Sequence, residues 1–171
     1  MRFLAGFILG LILVPIMVYF YFRFGYAPVA TAASPIPFER RLAHLGLDAR
    51  IEKEAPKSAP FQASDADLEN AAHSYRDHCA VCHGIMDGEK TPTAKGMYPE
   101  PPQLLHGKGV TDDPPGETYW KVANGIRLTG MPAYGHTLSD HEIWQISLML
   151  AGADKLSAQV QSILKQPLHP D

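Results

Sequence analysis

Both cysteines of the 171-residue chain fall in one pentapeptide, Cys79-Ala80-Val81-Cys82-His83. Cysteines three residues apart on a helical turn lie on one face, with the histidine directly beside them. Three chemistries use two thiols at this spacing. A dithiol redox pair belongs on a strand–helix–strand pattern, and no stretch of this sequence alternates convincingly with period two. A zinc site could recruit His136 and His141, but those lie more than fifty residues further on, and His141 falls in the cap of a helix. The third is covalent haem attachment. C-x-x-C-H lets both thiols add to porphyrin vinyl groups and holds the adjacent imidazole of His83 over the iron as proximal ligand.

A haem iron still lacks a sixth ligand, which can be Met, His or nothing. Met131 lies in Asn124-Gly-Ile-Arg-Leu-Thr-Gly-Met-Pro-Ala-Tyr-Gly135, a glycine-flanked loop. Pro132 biases Met131 away from helical angles, so its thioether can project sideways from extended chain. Met131 is the expected distal ligand; Met97 is its rival, followed by a histidine (His106, His136 or His141). Met86 is too close in sequence to His83 to reach the opposite face, and Met149 lies on the core stripe of a helix. The second nitrogen of His83 also needs an acceptor. The stiff stretch Tyr98-Pro-Glu-Pro-Pro-Gln-Leu104 offers carbonyls without helical partners.

Helices must hold these residues. Ser64 with Asp67 three residues later reads as a capping box, and Leu68, Ala71, Ala72, Tyr75 and Cys79 then form one face running into the cysteines. A second helix is expected from near Pro115 to Asn124, with Gly125 closing it. A third starts at Ser139 with Glu142, carries the stripe Ile143, Ile146, Met149 and Leu150, and ends at Gly152. A weaker helix is expected over 156–164. The fold class is all-α with long loops.

Residues 64–152 resemble a class I monohaem cytochrome c, of the type found as membrane-tethered carriers and as haem subunits of bacterial dehydrogenases. The motifs are Cys79 to His83 with Gly84, the glycine-interrupted loop through Gly88 and Gly96, Pro102-Gln103-Leu104, Gly130-Met131-Pro132, and the last helix from Leu138 to Gly152. The resemblance implies one covalent haem c, first and last helices that cross closely, a Pro102 carbonyl bonded to His83, and a Leu104 side chain on the porphyrin. It further implies Tyr98, Trp120 and Tyr134 as pocket walls, with Tyr75 and Trp144 at the helix crossing. Iron with both axial positions filled transfers single electrons and takes no small-molecule substrate. The expected partners are electron donor and acceptor proteins of a respiratory type.

Phe3 to Phe22 is uncharged over twenty residues, long enough as a helix to cross about 30 Å of hydrocarbon. Tyr19, Tyr21 and Tyr26 suit an interfacial belt, and Pro15 would kink the helix without forbidding it. Residues 1–24 are therefore expected to be a membrane anchor. A signal sequence cut near Ala30-Thr31-Ala32 is the alternative. Residues 25–63 are rich in Ala and Pro; Phe38, Leu42, Leu45 and Ile51 hint at a short helix, so this stretch is either a tether or a packed segment. Residues 153–171 form a tail. The family's haem is attached outside the bacterial cytoplasmic membrane, which would put the domain in the periplasm.

Charge sharpens this division. A pI near 6.2 argues against a nucleic-acid binder. Residues 64–171 carry a net −6 and residues 1–63 a net +3. The 46% hydrophobic content averages two unlike parts, because every Phe lies at or before Phe61. From Ser64 onward, Leu, Ile, Val and Phe supply only 19 of 108 residues, near the composition of chains that cannot fold alone. A buried porphyrin would supply the missing core.

Overall fold

The computed structural model describes residues 2–105 and 113–168. Every regular element among them is helical: α1 (Arg2–Arg23), α2 (Glu39–Glu54), α3 (Asp65–His78), α4 (Ala80–His83), α5 (Pro92–Lys95), α6 (Pro115–Asn124), α7 (Asp140–Ala151) and α8 (Ala158–Leu164), with a 3-10 turn at Ala153–Lys155. The chain divides into two units, one through Leu42 and one from Ala43.

In the first unit, α1 is long and apolar enough to cross a bilayer. It ends where Gly25 takes φ +74°. The Gly25 amide donates to Phe22 O and the Tyr26 amide to Tyr21 O, the paired bonds of a Schellman stop, and the Tyr21 and Tyr26 rings stack beside them. The large apolar side chains of α1 are exposed, as they are in a membrane-spanning helix and in a signal sequence alike.

α2 is a full 16-residue helix, longer than the turn or two expected from the loose apolar spacing. Its formation rests on good helix formers and an Arg50–Glu54 pair at i, i+4, 2.6 Å apart, not on an apolar face. Leu42 and Leu45 stay exposed.

In the second unit α3 packs on α7 and α8, and α6 packs on α7. Ala71 and Ala72 are fully buried on α3, and their small side chains let the helices approach. Both expected capping boxes are present, at Ser64/Asp67 and Ser139/Glu142. Tyr75, Ile143, Ile146, Met149 and Leu150 fill the centre. Trp144 does not sit between α3 and α7; its ring stacks on Tyr119 of α6 with centroids 4.4 Å apart. The i, i+4 face that carries Ile143 and Ile146 leaves Trp144 about a quarter-turn round the helix.

The core runs past both ends of the 64–152 span that the motifs mark. Leu156, Val160, Ile163 and Leu164 are buried, Leu164 O accepts from the Met86 amide, and Arg76 holds the carbonyls of Gln166 and Pro167. On the other side Ile51 is buried, Glu54 accepts from Trp120 Nε1 (3.2 Å), and Phe61 stacks on His141 (4.6 Å). Gly116 has no room for a side chain, since a Cβ there would lie 1.8 Å from Pro56 O. The end of the Ala/Pro-rich stretch is thus part of the folded unit.

Asp67 ties three pieces of this unit together. Its carboxylate accepts from Ser64, from Gln145 Nε2 (2.8 Å) and from His141 Nε2 (3.2 Å). The Ser64 hydroxyl, followed by Gln145, holds its pKa well below the ordinary carboxylate range. Below the ordinary Asp value of about 3.9 the unfolded chain binds a proton that native Asp67 refuses, so this contribution is complete above that pH and fades below it. Denaturant titrations of the wild type and Asp67→Asn should show a stability gap at pH 7 that narrows at pH 3. A gap of equal size at both values would exclude the linkage.

Candidate haem site

α3 delivers its apolar face directly to the cysteines. Cys79 caps α3, and α4 follows at once, with the Cys82 and His83 amides both donating to Cys79 O (3.0 and 2.8 Å). This single turn puts both thiols and the imidazole on one side. Cys79 and Cys82 form no disulfide with each other, and burial together with Cys82 pushes the Cys79 thiol up to about 12.

His83 Nδ1 lies 2.8 Å from Pro102 O. A carbonyl can only accept, so Nδ1 carries the proton and Nε2 presents its lone pair. Burial lowers the His83 pKa and outweighs the Pro102 bond that raises it, which keeps the ring neutral as a metal ligand must be. The turn after His83 is fixed twice. The buried Tyr75 hydroxyl donates to Gly84 O (2.8 Å), and Gly84, at φ +78°, has Gln103 Oε1 2.6 Å from where a Cβ would stand. Only glycine meets both demands.

The Met131 loop folds back on α6. The Ile126 amide donates to Met131 O (3.2 Å) and Thr129 Oγ1 accepts from the Met131 amide (3.1 Å). Gly125, at φ +65°, closes α6 so tightly that a Cβ would lie 2.7 Å from Ala133 N. Past Pro132, the Tyr134 and Gly135 amides donate to Val122 O and Ala123 O, and the Tyr134 hydroxyl donates to His78 O (2.7 Å). Burial is the main cause of the raised Tyr134 pKa.

These segments enclose a cavity of about 230 Å³, more than ten times the ~10–15 Å³ that one water needs. Cys79, Cys82, His83, Pro102, Leu104, Met131 and Tyr134 all line it. Tyr98 and Trp120 do not. Tyr98 is 38% exposed, and its neighbours Met97 and Pro99 face the cavity instead; Trp120 points to Glu54 on the other flank of α6, while Thr118, Lys121 and Val122 face inward. Met86 and Met149 belong to the core. His136 is exposed, His141 is engaged by Asp67 and Phe61, and His106 lies outside the described residues. No cluster of three or more His, Cys, Asp or Glu suited to a metal ion occurs among the described residues.

The residues present fit a covalent haem: two thiols, one neutral imidazole, thioethers and a largely apolar cavity wall. Ile146, Leu150, Ile126 and Met97 also line that wall. The stripe of α7 announced Ile146 and Leu150 as buried, but not that they face a cavity as well as the core.

Residues 66–148 match the family model for cytochrome c oxidase, cbb3-type, subunit III. No curated protein matches the chain. The matched span runs from the first turn of α3 into α7, and so takes in the C-x-x-C-H turn and the Met131 loop.

Proposed function

We propose that the c-type cytochrome of residues 66–148 is a membrane-tethered carrier, passing single electrons between respiratory-type protein partners. In this reading one haem c is bound by Cys79 and Cys82 and ligated by His83 and Met131. When bound, the group would supply one-electron iron chemistry. The observation that carries the reading is the convergence of both thiols, the Pro102-bonded His83 and Met131 on one apolar cavity.

Each residue has a physical task. The cysteines bind; Pro102 fixes the tautomer and tilt of His83; Leu104, Ile146 and Leu150 exclude water. A soft thioether favours ferrous iron and raises the potential relative to a second imidazole. α1 is the membrane anchor, and the domain stands on the periplasmic side of a bacterial cytoplasmic membrane, where haem attachment takes place. The net −6 of residues 64–171 steers the domain toward basic patches on its partners.

A second reading, a fixed haem subunit of a larger membrane oxidoreductase, is favoured by the name of the matched family and by the packed segment from Ile51 to Phe61. Optical redox titration of the detergent-extracted protein tests the carrier chemistry. The expected result is a single one-electron wave, with no rapid CO binding at equilibrium. Rapid CO binding would indicate an open position and a ligand sensor instead. Co-purification of further subunits in mild detergent would favour the fixed subunit over the free carrier.

A further inference from the structure

We infer that Met97 is a positioning residue for Met131, acting through Gly130; the inference rests on the His83/Met131 ligation proposed above. Met97 and Met131 line the same cavity. A Cβ on Gly130 would lie 1.9 Å from Met97 Cε and 3.5 Å from its Sδ. The Met97 methyl thus occupies the space that any side chain at 130 would need, directly beside the residue that carries the thioether. Met is suited to this: unbranched and polarisable, it fills irregular gaps.

The loop that carries Met97 is itself anchored to the proximal side. Thr91 caps α5 by accepting from the Ala94 amide, and its hydroxyl donates to Val81 O inside the C-x-x-C-H turn (2.6 Å). The Met97 amide donates to Ala94 O (3.2 Å). Five residues after Met97, Pro102 O holds His83. One short loop therefore bonds the proximal ligand at one end and presses on the distal ligand's neighbour at the other. Met131's own hydrogen bonds, to Thr129 and Ile126, come from within its own loop. Met97 is a support from outside it, its methyl standing where a Cβ at Gly130 would lie.

The test uses the full-length, haem-loaded protein in detergent, with two readouts: the far-red iron–methionine band of the oxidised form, and imidazole binding, which must displace Met131. Met97→Ala should weaken the band and tighten imidazole binding on the order of tenfold, the ratio that 1.4 kcal/mol gives. Met97→Leu, which keeps most of the volume, should retain the band. Gly130→Ala, which drives Met97 out of its place, should resemble Met97→Ala, and the double variant should be no worse than either single one. Wild-type band and imidazole affinity in Met97→Ala would overturn the inference, as would loss of the band in Met97→Leu, which would make Met97 the ligand. A wild-type protein without the band would instead overturn the ligation on which the inference rests.

Discussion

Replacing Cys79 and Cys82 together by alanine should remove all haem staining from a denaturing gel and most of the native helical circular dichroism. The first loss follows because no other thiol exists in the chain. The second follows from the size of the space that the porphyrin would fill. Without the group, a largely apolar cavity of about 230 Å³ would face water instead of porphyrin. An ordinary domain has only ~5–15 kcal/mol of net stability to absorb such a loss. Residues 64–171 have little reserve, with 19 Leu, Ile, Val and Phe among 108 residues. The α3–α7 contact alone buries several large side chains, each contributing ~1.5–3 kcal/mol, whereas α6 and the Met131 loop supply much of the cavity wall. Collapse should therefore begin at α6 and the loops and spread to the helix pair. Native helicity in the double variant, measured on the full chain with α1 subtracted as a constant background, would show that the domain does not depend on its haem.

Met131→Ala should abolish the far-red band, open the iron to imidazole and CO, and lower the reduction potential by on the order of 0.1–0.3 V, a fraction of the ~0.8 V over which axial ligands act. The proximal side should be untouched, since His83 is held by Pro102 and by the Tyr75–Gly84 bond, neither of which involves the Met131 loop. Haem staining should persist. A Met131→Ala protein that keeps the band would assign the distal thioether elsewhere, with Met97 the only other methionine on the cavity wall among the described residues.

The sequence was most informative where chemistry demands fixed spacing. The C-x-x-C-H turn, the capping boxes at Ser64 and Ser139, and the α6 span from Pro115 to Asn124 were all legible, because each rests on residues within one or two turns of each other. The pocket walls were less so. Tyr134 lines the cavity while Trp120 and Tyr98 do not, although all three are aromatic residues near the right motifs. Which side of α6 meets the cavity depends on Gly125 turning the chain back and on Tyr134 bonding His78, across 56 residues of sequence. A window of sequence holds no record of such a pairing.

By itself, the sequence carried the C-x-x-C-H spacing, the all-α class and the apolar span at the amino terminus. These depend on local periodicity and on residue type, which a linear string carries in full. Only the tertiary structure decided where the folded unit begins and ends, with Ile51 and Phe61 joined to it on one side and Leu164 on the other. Only it decided that Met97 fills the space beside Gly130. Both are outcomes of close packing between segments far apart in the chain, where a single Cβ or methyl settles which side chain occupies a space that either could claim.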